Sequence, residues 1–291
     1  MILLLMILCV GFYTGQTFMN RMFSGRYKGA PTVAGPVFSV IYGAIVAVLV
    51  FLLNGMRFSP STGTLILGIM NGLILFLYNL GMVQAARRGP YTFQSITMLF
   101  GSIVVVLIFS VLVWKDRVTA LQMAGILIML CAFVLLNAGG LTFSGIKKGY
   151  YFWIVILFFS NGFYGVLMDA QQRLYTDERN EMIMLTFGAL ALISILYLKL
   201  VAKAVLKEAF AMDKRSACYA ALSSVCAAFA VFLTMVLLKS VPSYVLYTIK
   251  NGGILVMSAL LSAIILKEKP TGKTLAGVAL SVVSILMLTG V

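Results

Sequence analysis

Stretches of about twenty apolar residues recur along the whole 291-residue chain, divided by short connections such as Arg87-Arg88-Gly89, Lys115-Asp116-Arg117, Ser240-Val241 and Lys267-Glu268-Lys269. A helix rising 1.5 Å per residue needs roughly 20 such residues to cross a hydrocarbon core. Turn and charge punctuation places helices at about 2–20, 31–53, 63–86, 90–114, 120–137, 150–172, 181–203, 217–239, 242–266 and 272–290. Hydrophobic residues make up 62% of the chain and charged ones 10%, whereas a soluble domain is nearer half apolar and a quarter charged. The expected fold is therefore an all-α integral membrane protein with ten transmembrane helices. The same composition excludes disorder, and the lack of a Gly period excludes collagen. No soluble domain interrupts the spans, which argues against catalysis on aqueous macromolecules. The first stretch lacks a basic flank and a small-residue cleavage site, and Leu8 before Cys9 does not suit a lipoprotein signal, so it is expected to stay as the first helix.

A net charge of +14 would suit nucleic acid in a soluble protein. Here the basic residues sit in short connections, where the positive-inside rule accounts for them. There is no His, which removes imidazole relays and most transition-metal sites. Cys9, Cys131, Cys218 and Cys226 lie inside apolar runs without metal-binding spacing and read as packing residues.

The halves repeat. Laid over 242–289 at a constant offset of 152, residues 90–137 match Pro90 to Pro242, Gly101 to Gly253, Ser110 to Ser262 and Lys115 to Lys267. Asp116 falls on Glu268, Thr119 on Thr271 and Ala124-Gly125 on Ala276-Gly277. Gly11-Phe12-Tyr13 matches Gly162-Phe163-Tyr164 at an offset of 151. Aligned punctuation over a helix–loop–helix is hard to obtain from apolar composition alone, so a duplication is expected: residues 1–139, a linker at 140–149, and residues 150–291. Five helices is an odd number, so the second half enters the membrane from the opposite side and the repeats are inverted. Such repeats, with a polar site near the midplane, belong above all to secondary transporters. Most of the 22 Lys and Arg residues stand in the first, third, fifth, seventh and ninth connections, which places these in the cytoplasm and both termini outside.

The duplicated five-helix halves and the hinges Lys115-Asp116-Arg117…Ala124-Gly125 and Lys267-Glu268-Lys269…Ala276-Gly277 resemble the drug/metabolite transporter superfamily, and within it the ten-helix EamA-like metabolite transporters. The resemblance covers essentially the whole chain. Met19–Gly25 and Pro242–Gly253 are also similar to the four-helix small multidrug resistance proteins. Those use a carboxylate in helix 1 to exchange protons with cationic drugs; here that helix offers only Thr14, Gln16, Thr17 and Asn20. Ten-helix members also usually keep both termini cytoplasmic, opposite to the charge bias.

Lys250 is the one ionisable residue deep in a span, roughly 12 Å below the helix start at Pro242. A charge there is costly unless it meets water or a partner. It reads either as an anchor for a carboxylate or phosphate, or as one half of an ion pair with Asp169, the candidate pairing or coupling partner. Its equivalent in the first half is Met98, so the lysine breaks the symmetry. Tyr244, Tyr247 and Asn251 surround it in sequence. Further candidate substrate-binding residues are Tyr13 and Gln16 on the first helix, Tyr78 and Asn79 on the third, Gln94 on the fourth, and Asn161 and Tyr164 on the sixth; the resemblance places these helices around a central cavity. Taken singly, each polar residue reads as an interhelical hydrogen bond. Gly101, Gly252 and Gly253 read as packing or bending points, Gly68/Gly72 as a close approach, and Trp114 and Trp153 as interface anchors.

The function expected is secondary transport of a small anionic or zwitterionic, amino-acid-like metabolite across the plasma membrane by alternating access, in the export direction. A lipid-linked phosphate flippase and a cation efflux pump are the alternatives. No enzyme activity, metal or cofactor is expected, and no nucleotide-binding loop is present to couple ATP. Partners are the substrate and membrane lipid, with a homodimer left open and nucleic acid excluded.

Overall fold

The computed structural model describes residues 1–137, 146–203, 206–265 and 271–289. In order the helices are α1 Ile2–Arg26, α2 Pro31–Leu53, α3 Thr62–Ala86, α4 Tyr91–Leu112, α5 Ala120–Asn137, α6 Tyr150–Leu174, α7 Arg179–Leu200, α8 Leu206–Ala209, α9 Lys214–Leu238, α10 Ser243–Ile265 and α11 Gly272–Thr289. All but the short α8 are long and apolar enough to span a bilayer, which makes ten candidate spans among the described residues. Each expected helix is present. The first runs six residues further than expected, because Arg26 in its last turn suits the negative end of the helix dipole instead of ending the helix. The four-residue α8 lies between the helices expected at 181–203 and 217–239. The hinge at Lys267-Glu268-Lys269 and most of the linker at 140–149 lie outside the described residues.

Helix starts follow local chemistry. The Ser61 and Asp213 side chains accept backbone N–H groups of Thr64 and Ser216, at 3.3 and 3.2 Å. Thr119 and Gln122 cap one another reciprocally, at 3.2 and 3.1 Å. Thr271, the equivalent of Thr119, accepts from Thr274 N–H at 3.2 Å. Inside the spans, several hydroxyls donate back one turn, as Thr14 does to Val10 and Thr248 to Tyr244, which satisfies those donors within their own helix. Large apolar side chains such as Leu3, Leu52, Phe152, Leu192 and Leu275 are more than half exposed, a surface suited to lipid rather than water.

The helix contacts respect exchange of the two halves. α1 packs on α9 as α6 packs on α3, α1 on α10 as α6 on α4, and α2 on α9 as α7 on α3. α2 packs on α7, α4 on α10 and α5 on α11, each a pair of equivalents. Ser110 meets Ser243 at 2.8 Å and Ser102 accepts from Asn251 at 2.7 Å, so α4 and α10 run antiparallel. In the α5–α11 pair a Cβ on Gly125 would touch Leu288, and one on Gly277 would touch Leu136. These contacts are reciprocal at the offset of 152. Gly68 and Gly72 let α3 approach Leu185 and Ala189 of α7 closely.

The basic-rich connections meet in pairs. The Tyr27 hydroxyl donates to Ala209 O at 2.7 Å, joining the α1–α2 connection to α8, and Lys147 N–H donates to Arg88 O at 2.7 Å. The remaining connections carry nearly balanced charge and bind one another: Ser61 to Glu178, Asn54 to Glu181, and Asp116 to Arg173.

Candidate functional site

The buried charge is set by α10. Every residue from Ser243 to Gly252 is buried, because α1, α4, α6, α9 and α11 all pack around this helix. Lys250, 8% exposed, therefore cannot lead its ammonium to either membrane surface. Its Nζ lies 4.1 Å from the ring centroid of Tyr247 and 4.7 Å from that of Tyr13 on α1, which places the cation between two aromatic faces. Met6, Cys9, Val10, Leu246, Ile249 and Lys250 line a crevice between α1 and α10 that is too narrow to admit a water molecule.

Other predicted residues extend this centre. The Tyr13 hydroxyl sits 3.3 Å from that of Thr234 on α9, whose oxygen is 3.4 Å from Cys9 Sγ. Tyr164 on α6 lies within electrostatic range of Tyr13 and Tyr247, and Tyr42 on α2 and Tyr78 on α3 lie within range of Tyr164. Gln16 donates to the Tyr42 hydroxyl at 3.2 Å. Tyr13, Gln16, Tyr78, Tyr164, Tyr247 and Lys250 thus converge from four helices. Cys9, Tyr42 and Thr234 join them unforeseen. Cys9 reads as a packing residue in an apolar run, Tyr42 and Thr234 carry no sequence signal, and only the fold places them in this centre.

Several candidates are committed elsewhere. Asn251 donates to Ser102, Asn79 to Ser39 at 3.0 Å and Asn161 to Met98 O at 2.7 Å, each tying two helices together. The Tyr78 hydroxyl also contacts Met98, 2.8 Å from its sulfur. Gln94 holds Met82 O of α3 at 2.9 Å, near the start of α4 and about two and a half turns from the level of Lys250. Tyr244 lies at the opposite end, where its hydroxyl reaches Arg117 O and Gln122 Oε1 at 3.2 and 3.1 Å. Neither Gln94 nor Tyr244 stands beside the lysine.

The alternative reading, an Asp169–Lys250 ion pair, is not made in the structure. Asp169 accepts from Arg173 at 3.1 Å and from Ser243 at 3.0 Å, and Arg173 also holds Asp116 at 2.6 Å. The reason is height: Lys250 lies seven residues beyond Ser243, roughly 10 Å further along α10. Trp114 underlies Arg173 and Trp153 underlies Arg88, with guanidinium-to-ring distances of 5.1 and 5.8 Å. Gly101 packs against Phe158 O of α6, Gly252 against the end of Met129, and Gly253 against Val10. Among the described residues no three of His, Cys, Asp or Glu converge as metal ligands would.

No curated protein matches the sequence. A crystal structure of a protein shares the fold, with a TM-score of 0.77 at 20% identity, covering 98% of this chain and 95% of the other. Residues 148–290, essentially the second five-helix half, match the model of the EamA-like transporter family. Residues 148–290 thus carry the pattern of the EamA-like transporter family, and with ten candidate spans among the described residues the chain is a multi-pass integral membrane protein similar to the transporters of the drug/metabolite superfamily.

Proposed function

We propose that the chain is a secondary transporter in which Lys250 anchors a small anionic or zwitterionic metabolite midway through the membrane. The observation that carries this reading is a lysine buried in a span with two tyrosine faces around it and, among the described residues, no carboxylate beside it. Such a charge is expensive to hold in hydrocarbon unless it serves a ligand. The sequence duplication, the antiparallel run of α4 and α10 and the reciprocal α5–α11 contacts support inverted repeats, and hence alternating access by exchange of two conformations. Export is the direction that the resemblance suggests. A cationic substrate would meet repulsion from Lys250, which weighs against drug-cation efflux.

The test is transport in proteoliposomes of the purified chain, after a thermal-shift screen of amino acids, organic acids, sugar phosphates, nucleotides and cationic dyes. Lys250→Met should lower uptake of the best ligand by about a hundredfold or more, the scale of a lost charge-assisted contact, while yield and helicity stay unchanged. A folded Lys250→Met protein that transports like the parent would remove the anchor role.

A further inference from the structure

The charge balance around Lys250 narrows what it can hold; the argument rests on the anchor reading above. The described carboxylates are occupied or distant. Asp116 and Asp169 share Arg173, Glu178 holds Ser61, Glu181 holds Asn54, and Asp213 caps α9. Asp177 and Glu208 are exposed in connections. Glu268 is outside the described residues, eighteen positions along the chain from Lys250 and past the end of α10. The middle of the bundle therefore carries one positive charge and, among the described residues, no negative one.

A ligand with a single negative charge makes this site neutral. A zwitterion leaves it at +1 and brings an ammonium that needs an acceptor of its own. The aromatic faces best placed to accept an ammonium, those of Tyr13 and Tyr247, are already taken by Lys250. The Tyr247 hydroxyl is buried without a hydrogen-bond partner, a donor that an anionic oxygen could use. From this balance we infer that the ligand is a small organic monocarboxylate without a charged α-amino group, rather than an amino acid.

The experiment compares compounds that share a carbon skeleton: lactate with alanine, and phenyllactate with phenylalanine. Each is titrated calorimetrically into the purified full chain, and into its Lys250→Met and Lys250→Arg variants. The hydroxy acid of at least one pair should bind at least about tenfold more tightly than its amino acid. Lys250→Met should abolish that binding, and Lys250→Arg should keep the preference. An amino acid that binds as tightly as its hydroxy acid, yet still depends on Lys250, overturns the monocarboxylate assignment and leaves the anchor standing. Binding unchanged in a folded Lys250→Met protein overturns both. Failure of every probe to bind the parent chain overturns the assignment.

Discussion

The first ten residues of α10 and the equivalent first ten residues of α4 have opposite surroundings. From Ser243 to Gly252 all are buried, whereas from Tyr91 to Phe100 only Gln94 and Ile96 are. Two segments that align at one offset thus occupy different environments. At the start of α10 a polar chain closes the bundle: Ser110 meets Ser243, Ser243 donates to Asp169, and Arg173 joins Asp169 to Asp116. Tyr244 adds a contact to the α4–α5 connection. At the start of α4 the ties are separate hydrogen bonds without charged members: Gln94 to Met82 O, Tyr78 and Asn161 to Met98, and Tyr150 to Pro90 O. The charged residues at the start of α10 are paired, while Lys250, further along the same helix, has no carboxylate partner among the described residues.

Thiol labelling measures this difference most directly. In a chain with its four cysteines replaced, Thr97→Cys and Ile249→Cys place thiols at equivalent positions, one partly exposed and one buried. The thiol at position 97 should react about a hundredfold faster, the suppression that about 2.7 kcal/mol of opening free energy produces at the buried site. Equal rates would mean that the two equivalent segments are equally accessible.

Removing the latch should come next in size. Arg173→Met leaves Asp169, 3% exposed, without its cation, at a cost of about 2 kcal/mol given that the arginine itself is 30% exposed. Asp169→Asn should cost less, because Arg173 keeps Asp116 at 2.6 Å. Both are read by thermal unfolding, and Arg173→Met should also speed labelling at position 249. If Asp169→Asn abolished transport in a stable protein, the aspartate would be part of the site and not of the seal.

The glycines give a smaller contrast. A Cβ at Gly101 meets the Phe158 carbonyl, part of a helix backbone that cannot yield, so Gly101→Ala should cost about 1.5 kcal/mol. At Gly252 the obstacle is the end of the Met129 side chain, which can rotate away, so Gly252→Ala should stay within about 0.5 kcal/mol. Similar losses at both positions would show that α5 is as rigid against α10 as α6 is against α4.

Legibility in the sequence divided along physical lines. Spans were readable because hydrocarbon thickness imposes one length on every crossing, and Pro90, Pro242 and the charged connections mark the ends. Lys250 stood out because a charge in a span is rare. The partner of Asp169 was not readable: two residues of opposite charge in different spans say nothing about their relative heights, and height decides whether they meet. Asn79, Asn161 and Asn251 looked like ligand-binding groups because sequence cannot tell an amide that binds a solute from one that binds a neighbouring helix. Tyr42 and Thr234 were hidden because a single hydroxyl in an apolar run is unremarkable until the fold sets it beside the lysine.

The smallest effect lies at the start of α9, in the basic-rich connection away from the seal. Asp213 accepts both the backbone N–H and the hydroxyl of Ser216, and these bonds hold its carboxyl below the ordinary carboxylate range. A depressed acid contributes stability that is complete above the unfolded carboxylate's pKa and lost as pH falls through the lower native value. Acidification through the carboxylate range should therefore loosen the first turn of α9, seen as faster amide exchange at Ser216 and Ala217. Asp213→Asn should retain most of the cap because an amide oxygen can still accept, whereas Asp213→Ala should show the fast exchange at every pH. Because the side chain is fully exposed, the change should stay local. If the same acidification altered labelling at position 249, protonation would be reaching the middle of the bundle, and the start of α9 could not be treated as independent of it.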